Sequence, residues 1–241
     1  MLQFTLPAKQ AKLLVKALEN VNDDAIFKFD TDGLTVSVSD TFRNRLLEIA
    51  LPTDFFTSYL CEASVDLGVI ISRLKDVTKT LSAKDEVSAN YSADEPNFLI
   101  LTANGIRRRV RLVNTELLSS PPLMVYEDYI YTLELTSDSV MNFLKAATAF
   151  HTIDVSVLPA GATFTALEGE DEVSMHFDSE SCNLSLDMAD SLTTHGVTDL
   201  LKGLSTLSGE VVVRGGPTIP ICFEWSWGSD SRVACYVTRW E

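Results

Sequence analysis

Three histidines and four cysteines are the first places to look for chemistry, and neither set is arranged for it. His151, His176 and His195 stand at no metal-ligand spacing, and Cys61, Cys182, Cys222 and Cys235 form no CxxC pair and sit among apolar neighbours, as reduced core thiols do. The chain carries no P-loop, no GxSxG and no carboxylate pair distinguishable from surface acid. These absences point away from an enzyme, a metal site or any other cofactor. Charge patterning is more informative. In Ile106-Arg-Arg-Arg-Val-Arg-Leu-Val113, alternation puts Arg107, Arg109 and Arg111 on one face of a strand, whereas the run 168–178 is acidic and includes Glu170 and Glu172. The first is read either as a basic nucleic-acid patch or as a subunit edge, the second either as a solvated edge or as the partner of the first. Pairing a basic edge with an acidic edge of a neighbouring copy would blunt both. Because the edges differ, the contact is head-to-tail, and such contacts close into rings when the rotation allows.

The formal net charge is -15, with 34 acids against 19 Lys and Arg, so contact with nucleic acid requires the few cations to share one surface. Four amphipathic helices are expected. The first covers about 7–21, with Ala11, Leu14, Ala17, Leu18 and Val21 as its apolar stripe and Lys9, Lys12 and Lys16 opposite. The second covers about 66–81, with Leu67, Ile70, Ile71, Leu74, Val77 and Leu81 inward and Arg73, Lys75 and Lys79 off the stripe. A third is built on Val140, Phe143, Leu144 and Ala147 with Lys145 outward, and a fourth on Val197, Leu200, Leu201, Leu204 and Leu207 with Lys202 outward. Lysine on the wet face of one helix is what solubility requires. Cations opposite the buried stripe on all four helices suit sequence-independent contact with phosphates, if one sheet layer packs beneath them all.

Alternating β-type runs separated by Asp-Gly, Asn-Gly, Gly-Gly and Ser-Gly turns fill much of the remainder, giving an α+β chain with mainly antiparallel sheet. The elements recur. Leu14-Val15-Lys16-Ala17 reappears as Phe143-Leu144-Lys145-Ala146, an offset of 129; Leu74-Lys75 reappears as Leu201-Lys202, an offset of 127; and Gly33 lines up with Gly161 at 128. Two copies of so long a unit imply a duplicated domain. The expected organisation is a first domain over 1–113, a connector over 114–128 that includes the apolar Leu123, Met124 and Val125, and a second domain over 129–241. No apolar run approaches the length of a membrane span, and the N-terminus enters patterned sequence without a signal-like stretch, so an intracellular, soluble protein is expected.

Leu67-Gly68-Val69-Ile70-Ile71-Ser72-Arg73-Leu74-Lys75, Gly33-Leu34-Thr35-Val36-Ser37-Val38-Ser39-Asp40, Phe55-Phe56-Thr-Ser-Tyr59-Leu-Cys61 and the tail Cys235-Tyr236-Val-Thr-Arg239-Trp240-Glu241 resemble, in order and across the whole chain, the proliferating cell nuclear antigen (PCNA) type of sliding clamp. The resemblance implies a DNA clamp fold: two similar domains per chain and three chains per ring, with antiparallel sheets outside and four helices lining the hole. It implies that Lys9, Lys12, Lys16, Arg73, Lys75, Lys79, Lys145 and Lys202 face duplex DNA. It further implies no catalytic role, and a processivity function in cytoplasm, nucleoid or nucleus that tethers DNA polymerase, clamp loader and other replication and repair clients through short peptide motifs. The client pocket would draw on Val38, Ser39, Leu123, Met124, Val125, Ile219, Pro220 and Tyr236. The chain departs from the family's usual pattern at Ser39, along Asp40-Thr-Phe42-Arg43-Asn44 and at Thr238. Two other readings compete: a polymerase processivity factor that acts as a monomer or dimer, and an acidic mimic of nucleic acid. The mimic requires acids gathered on one face, whereas the helices gather cations.

Overall fold

The computed structural model describes residues 1–119, 121, 128–187 and 190–240. In chain order the first half contains β1 (Leu2–Pro7), α1 (Ala8–Glu19), β2 (Asp24–Phe29), β3 (Gly33–Ser39), β4 (Arg45–Pro52), β5 (Ser58–Cys61), β6 (Val65–Ile70), α2 (Ile71–Thr78), β7 (Glu86–Tyr91), β8 (Phe98–Ala103) and β9 (Ile106–Arg111). The second half contains β10 (Tyr131–Thr136), α3 (Ser137–Ala146), β11 (Thr152–Leu158), β12 (Gly161–Glu168), β13 (Asp171–Asp178), β14 (Ser185–Leu186), β15 (Ser191–Gly196), α4 (Val197–Gly203), β16 (Glu210–Gly216), β17 (Ile219–Trp225) and β18 (Arg232–Val237). The order strand, helix, five strands, helix, three strands is therefore written twice. No helix among the described residues is long and apolar enough to cross a membrane.

The chain forms two compact units: Met1–Ser39 with Leu47–Leu123 and Trp227–Val233, and Asp40–Leu46 with Met124–Ser226 and Ala234–Glu241. In the first unit the strands run β5-β1-β7-β8-β9 in one sheet and β4-β3-β2-β6 in another. The second unit repeats both orders as β14-β10-β16-β17-β18 and β13-β12-β11-β15. The neighbours β1 and β5, β1 and β7, β8 and β9, β2 and β3, β2 and β6 in the first unit, and β11, β12, β13 and β15 in the second, are all antiparallel.

The duplication extends to single backbone positions. Gly33 and Gly161 open β3 and β12 at φ 142° and 150°, and a Cβ there would run into the carbonyl oxygen of Leu51 in one case and Phe177 in the other. The start of α2 is held by Asp23, whose carbonyl oxygen accepts from Ile71 N and whose carboxylate accepts from Ser72 N (2.8 Å) and Ser72 Oγ (3.1 Å). His151 takes the equivalent place in the second unit, its carbonyl oxygen accepting from Val197 N at 3.0 Å. That accounts for His151 as a backbone position.

Each helix buries its apolar stripe. Ala11, Leu14, Ala17 and Leu18 of α1, Leu74 and Val77 of α2, Val140, Phe143 and Leu144 of α3, and Val197 and Leu200 of α4 are all in the core. Burying one such leucine or phenylalanine contributes about 1.5–3 kcal/mol. Helix α2 begins later than its sequence pattern suggests: Val65–Ile70 is a strand paired along its length with β2, so Leu67 and Ile70 belong to β6. Leu67, Ile70, Ile71 and Leu74 have helical spacing by coincidence, because the strand runs straight into the helix. The β-branched Val65, Val69 and Ile70 around Gly68 carry the strand preference.

Candidate nucleic-acid and partner interfaces

In the first unit α1 packs against α2, and the cations between them are partly engaged. Lys9 and Lys16 are exposed on α1. Lys12 is half-buried, and its Nζ donates to the Leu81 carbonyl oxygen beyond the end of α2, so it acts as a C-terminal helix partner rather than as a freely outward cation. On α2, Lys75 forms an ion pair with Glu19 of α1, and Asp76 pairs with Lys79 just past the helix end, while its other oxygen lies 3.8 Å from Arg108. The Lys79 hydrogen bond is the main reason the Asp76 carboxyl titrates below its ordinary value. Arg73 donates to the Arg111 carbonyl oxygen at 2.6 Å. In the second unit α3 packs against α4, and Lys145 and Lys202 are both exposed. Within each unit, then, the helices present cations on the side opposite their sheet, and in the first unit Glu19 and Asp76 temper them.

The two charged edges are real edges of their sheets. Strand β9 ends the order β5-β1-β7-β8-β9, and β13 ends β13-β12-β11-β15. Arg107, Arg109 and Arg111 are exposed on the face away from the helices, while Val110 is buried and Arg108 reaches Asp76 of α2. Arg109 is held in place, 3.5 Å from Glu95 and stacked 3.9 Å above the Phe98 ring. On β13, Glu172, Ser174, His176 and Asp178 are exposed, and Val173, Met175 and Phe177 are half-buried on the opposite face. Glu170 lies in the turn between β12 and β13, beside Gly169 at φ 64°, rather than on the strand itself. His176 bonds Thr163 Oγ1 at 2.9 Å and lies 3.3 Å from Asp178, a surface position with no metal partner set among the described residues.

Of the pocket residues, Ile219 and Pro220 are brought together in an open cleft of ≈ 350 Å³ with Thr218, Thr238, Arg239 and Trp240. The tail that walls this cleft is tied down: Thr238 N donates to Asn44 O at 2.9 Å, Trp240 N donates to Thr194 O at 2.8 Å, and Arg239 donates to the Pro217 carbonyl oxygen. Val38 is 2% and Tyr236 4% exposed, so their side chains are core groups. Tyr236 packs with Cys222 and Ala234 against Leu46 and Tyr129. Ser39 is half-buried, and its carbonyl oxygen accepts from Asn22. Leu123, Met124 and Val125 lie outside the described residues.

Two arrangements had no separate signal in sequence. Arg45 is buried between Asp40 (3.4 Å) and Asp199 of α4 (3.5 Å), and Asp40 also accepts from Arg45 N, which closes the loop that leaves Phe42 83% exposed at its tip. His195 is fully buried behind the tail, with Nδ1 3.0 Å from the Thr238 carbonyl oxygen and Nε2 3.0 Å from Thr193 Oγ1. Burial pushes its pKa down to about 4, so the ring is neutral: Nδ1–H donates to Thr238 and Nε2 accepts from the Thr193 hydroxyl.

A family model described as proliferating cell nuclear antigen, N-terminal domain, matches residues 2–120. The chain belongs to the PCNA family. Among relatives, the DNA polymerase sliding clamp 1 of Thermococcus kodakarensis is 24% identical over 241 aligned residues covering 94% of this chain and 92% of that protein. The DNA polymerase sliding clamp of Pyrococcus furiosus is also 24% identical, with the same 94% and 92% covered. Among solved structures, A. fulgidus PCNA bound to the C-terminal region of FEN-1 superposes with a TM-score of 0.92 at 15% identity, covering 100% of this chain and 99% of that one. PCNA from Thermococcus kodakaraensis gives 0.89 at 20% identity with both chains fully covered. At these identities the structural likeness is one of fold, and that fold is the α+β clamp of the PCNA family.

Proposed function

We propose that this PCNA-family chain is a sliding clamp: three copies joined head-to-tail encircle duplex DNA and tether DNA polymerase and other replication and repair proteins. The observation that carries the reading is the duplicated unit itself, with two helices turning cations outward from an antiparallel sheet layer and with unlike free edges at β9 and β13. Lys9, Lys16, Lys145 and Lys202, with Arg73 beside them, Lys75 and Lys79 partly neutralised and Lys12 in support, contact phosphates weakly and without reading bases. Weak, screened contacts permit sliding, and topology rather than affinity holds the ring on DNA. The likeness of the Thermococcus and Pyrococcus sliding clamps supports this role.

Clients dock by short peptides at the cleft of Ile219 and Pro220, with the connector 114–128 between domains 1–113 and 129–241 completing the site; the FEN-1 segment on A. fulgidus PCNA supports that mode. The role is that of an intracellular scaffold and needs no catalytic residue or cofactor. Light scattering tests the assembly, since a closed ring has about three times the 26.6 kDa chain mass. A monomer at micromolar concentration and moderate salt overturns the ring and favours the processivity factor that acts without one.

A further inference from the structure

Within the second unit one arginine ties together a loop, a helix and the tail that walls the client cleft. The loop 40–44, between β3 and β4, carries the exposed Phe42 at its tip, and its Asn44 carbonyl oxygen accepts from Thr238 N (2.9 Å) and Thr238 Oγ1 (3.3 Å). Thr238 lines the cleft with Ile219 and Pro220, so the loop stands directly beside that wall. At the foot of the loop, Arg45 N donates to Asp40 Oδ1 at 2.8 Å, Asp40 N donates to Arg45 O at 3.2 Å and Arg43 N donates to Asp40 O at 3.0 Å. Arg43 is held at φ 59°, a left-handed conformation that a residue other than glycine keeps only where its surroundings fix it. Beneath the loop the buried Arg45 guanidinium lies 3.4 Å from Asp40 and 3.5 Å from Asp199 of α4. The helix and tail also meet there: a Cβ on Gly196 would come within 2.9 Å of Asp199 Oδ2 and 3.3 Å of Trp240 Cε3.

A buried ion cluster of this kind is a poor source of stability. Arg45 Nη1 is buried with no hydrogen-bond partner among the described residues, and neutral groups of similar volume commonly serve a core as well as a buried ion pair does. What the cluster supplies is placement. The guanidinium is a rigid planar fork, and it meets both carboxylates only while the loop and α4 keep one relative position. We propose that Arg45 is a positioning residue for client binding: by bridging Asp40 and Asp199 it fixes loop 40–44 and the adjoining tail, so that Phe42 meets an incoming peptide in a preformed position. The inference rests on the client reading above and deepens it. An aromatic side chain on a free loop loses conformational freedom when a peptide orders it, whereas one on a loop already held does not, and affinity rises accordingly. Neither the bridge nor its partner on α4 could be read from the loop's own sequence, since Asp199 lies 154 residues beyond Arg45 (199 − 45).

A charge-balanced replacement tests the role. Asp40→Asn, Arg45→Met and Asp199→Asn together remove the charges, keep similar volumes and leave Asn Oδ1 to accept from the backbone N of residue 45. The probe is a synthetic peptide of the C-terminal region of FEN-1, the segment bound to A. fulgidus PCNA. The triple variant is expected to keep the native urea midpoint, to exchange the amide hydrogens of residues 45 and 238 faster, and to bind the peptide about tenfold more weakly, as a loop that holds its binding position a tenth of the time would. Arg45→Lys, which can reach one carboxylate at a time, is expected to bind with intermediate affinity. Phe42→Ala is expected to weaken binding in the native background and to add little in the triple variant, a non-additivity that a general loss of packing would not produce. Native affinity in the triple variant, or an equal effect of Phe42→Ala in both backgrounds, overturns the positioning role. If the triple variant does not fold, Asp199→Asn alone decides: weaker peptide binding at an unchanged urea midpoint supports the role, and unchanged binding overturns it. A native protein that binds no peptide removes the client cleft itself, and the inference with it.

Discussion

Acid should loosen the C-terminal tail through one buried histidine. His195 is fully enclosed between Thr193 and the Thr238 carbonyl oxygen, and burial, opposed in part by that hydrogen bond, takes its pKa from 6.5 down to about 4. The unfolded chain takes up a proton as pH falls below 6.5, while the folded chain resists until about 4. Stability from this group is therefore complete above pH 6.5 and is lost progressively as pH falls toward 4. The full loss is about 3 kcal/mol, of which about 2 kcal/mol falls between about pH 7 and about pH 5. Urea titrations of the native protein and of His195→Gln at both pH values isolate the effect, since the carboxylates titrate alike in the two proteins. The native protein should lose about 2 kcal/mol more than the variant over that interval. Hydrogen exchange at Trp240 N, which is bonded to Thr194 O, should accelerate over the same range in the native protein. An imidazole midpoint near 6.5 by NMR, or identical pH dependence in the two proteins, would refute the reasoning.

Replacing Lys9 or Lys145, both exposed, with alanine should flatten the salt dependence of DNA binding by up to about 0.9 in log–log slope for each phosphate that is no longer neutralised; Lys75→Ala should do less, because Glu19 already holds that ammonium, and equal slopes for all three would contradict the assignment. Gly161→Ala puts a Cβ against the Phe177 carbonyl at φ 150°, so urea denaturation should register a destabilisation of at least about 2 kcal/mol, and a change under half of that would show that the strand relaxes there. Val87→Ile fills part of an apolar hollow of ≈ 50 Å³ lined also by Phe4, Leu14 and Phe56, and should raise stability by about 0.8 kcal/mol, with a decrease indicating that the hollow is too narrow for the added methyl.

The parts of this molecule that were legible in sequence are those where burial follows a clean period. The stripes of α1, α3 and α4 read directly, and the offsets of Leu14, Leu74 and Gly33 revealed the duplication. Strand β15 carries no apolar alternation, because its core face is Ser191, Thr193 and His195, and Thr193 and His195 satisfy each other. Strand β6 was absorbed into α2 because no turn separates them. At the candidate sites, sequence placed the outward cations on the right helices, but that Lys12, Lys75 and Lys79 already have partners depends on how α1 and α2 pack. The loop at Phe42 was visible only as a departure in pattern. What fixes it is the ion pair of Arg45 with Asp199, far away in the chain.

Retention on DNA with and without ends tests the central claim most directly. The protein is loaded on nicked circular DNA, the DNA is then cut at one site, and bound protein is measured before and after at moderate salt. A ring held by topology stays on the circle and leaves the linear molecule by sliding off its ends. Equal retention on circle and line would contradict the account, because it would mean that surface contacts rather than encirclement hold the protein to DNA.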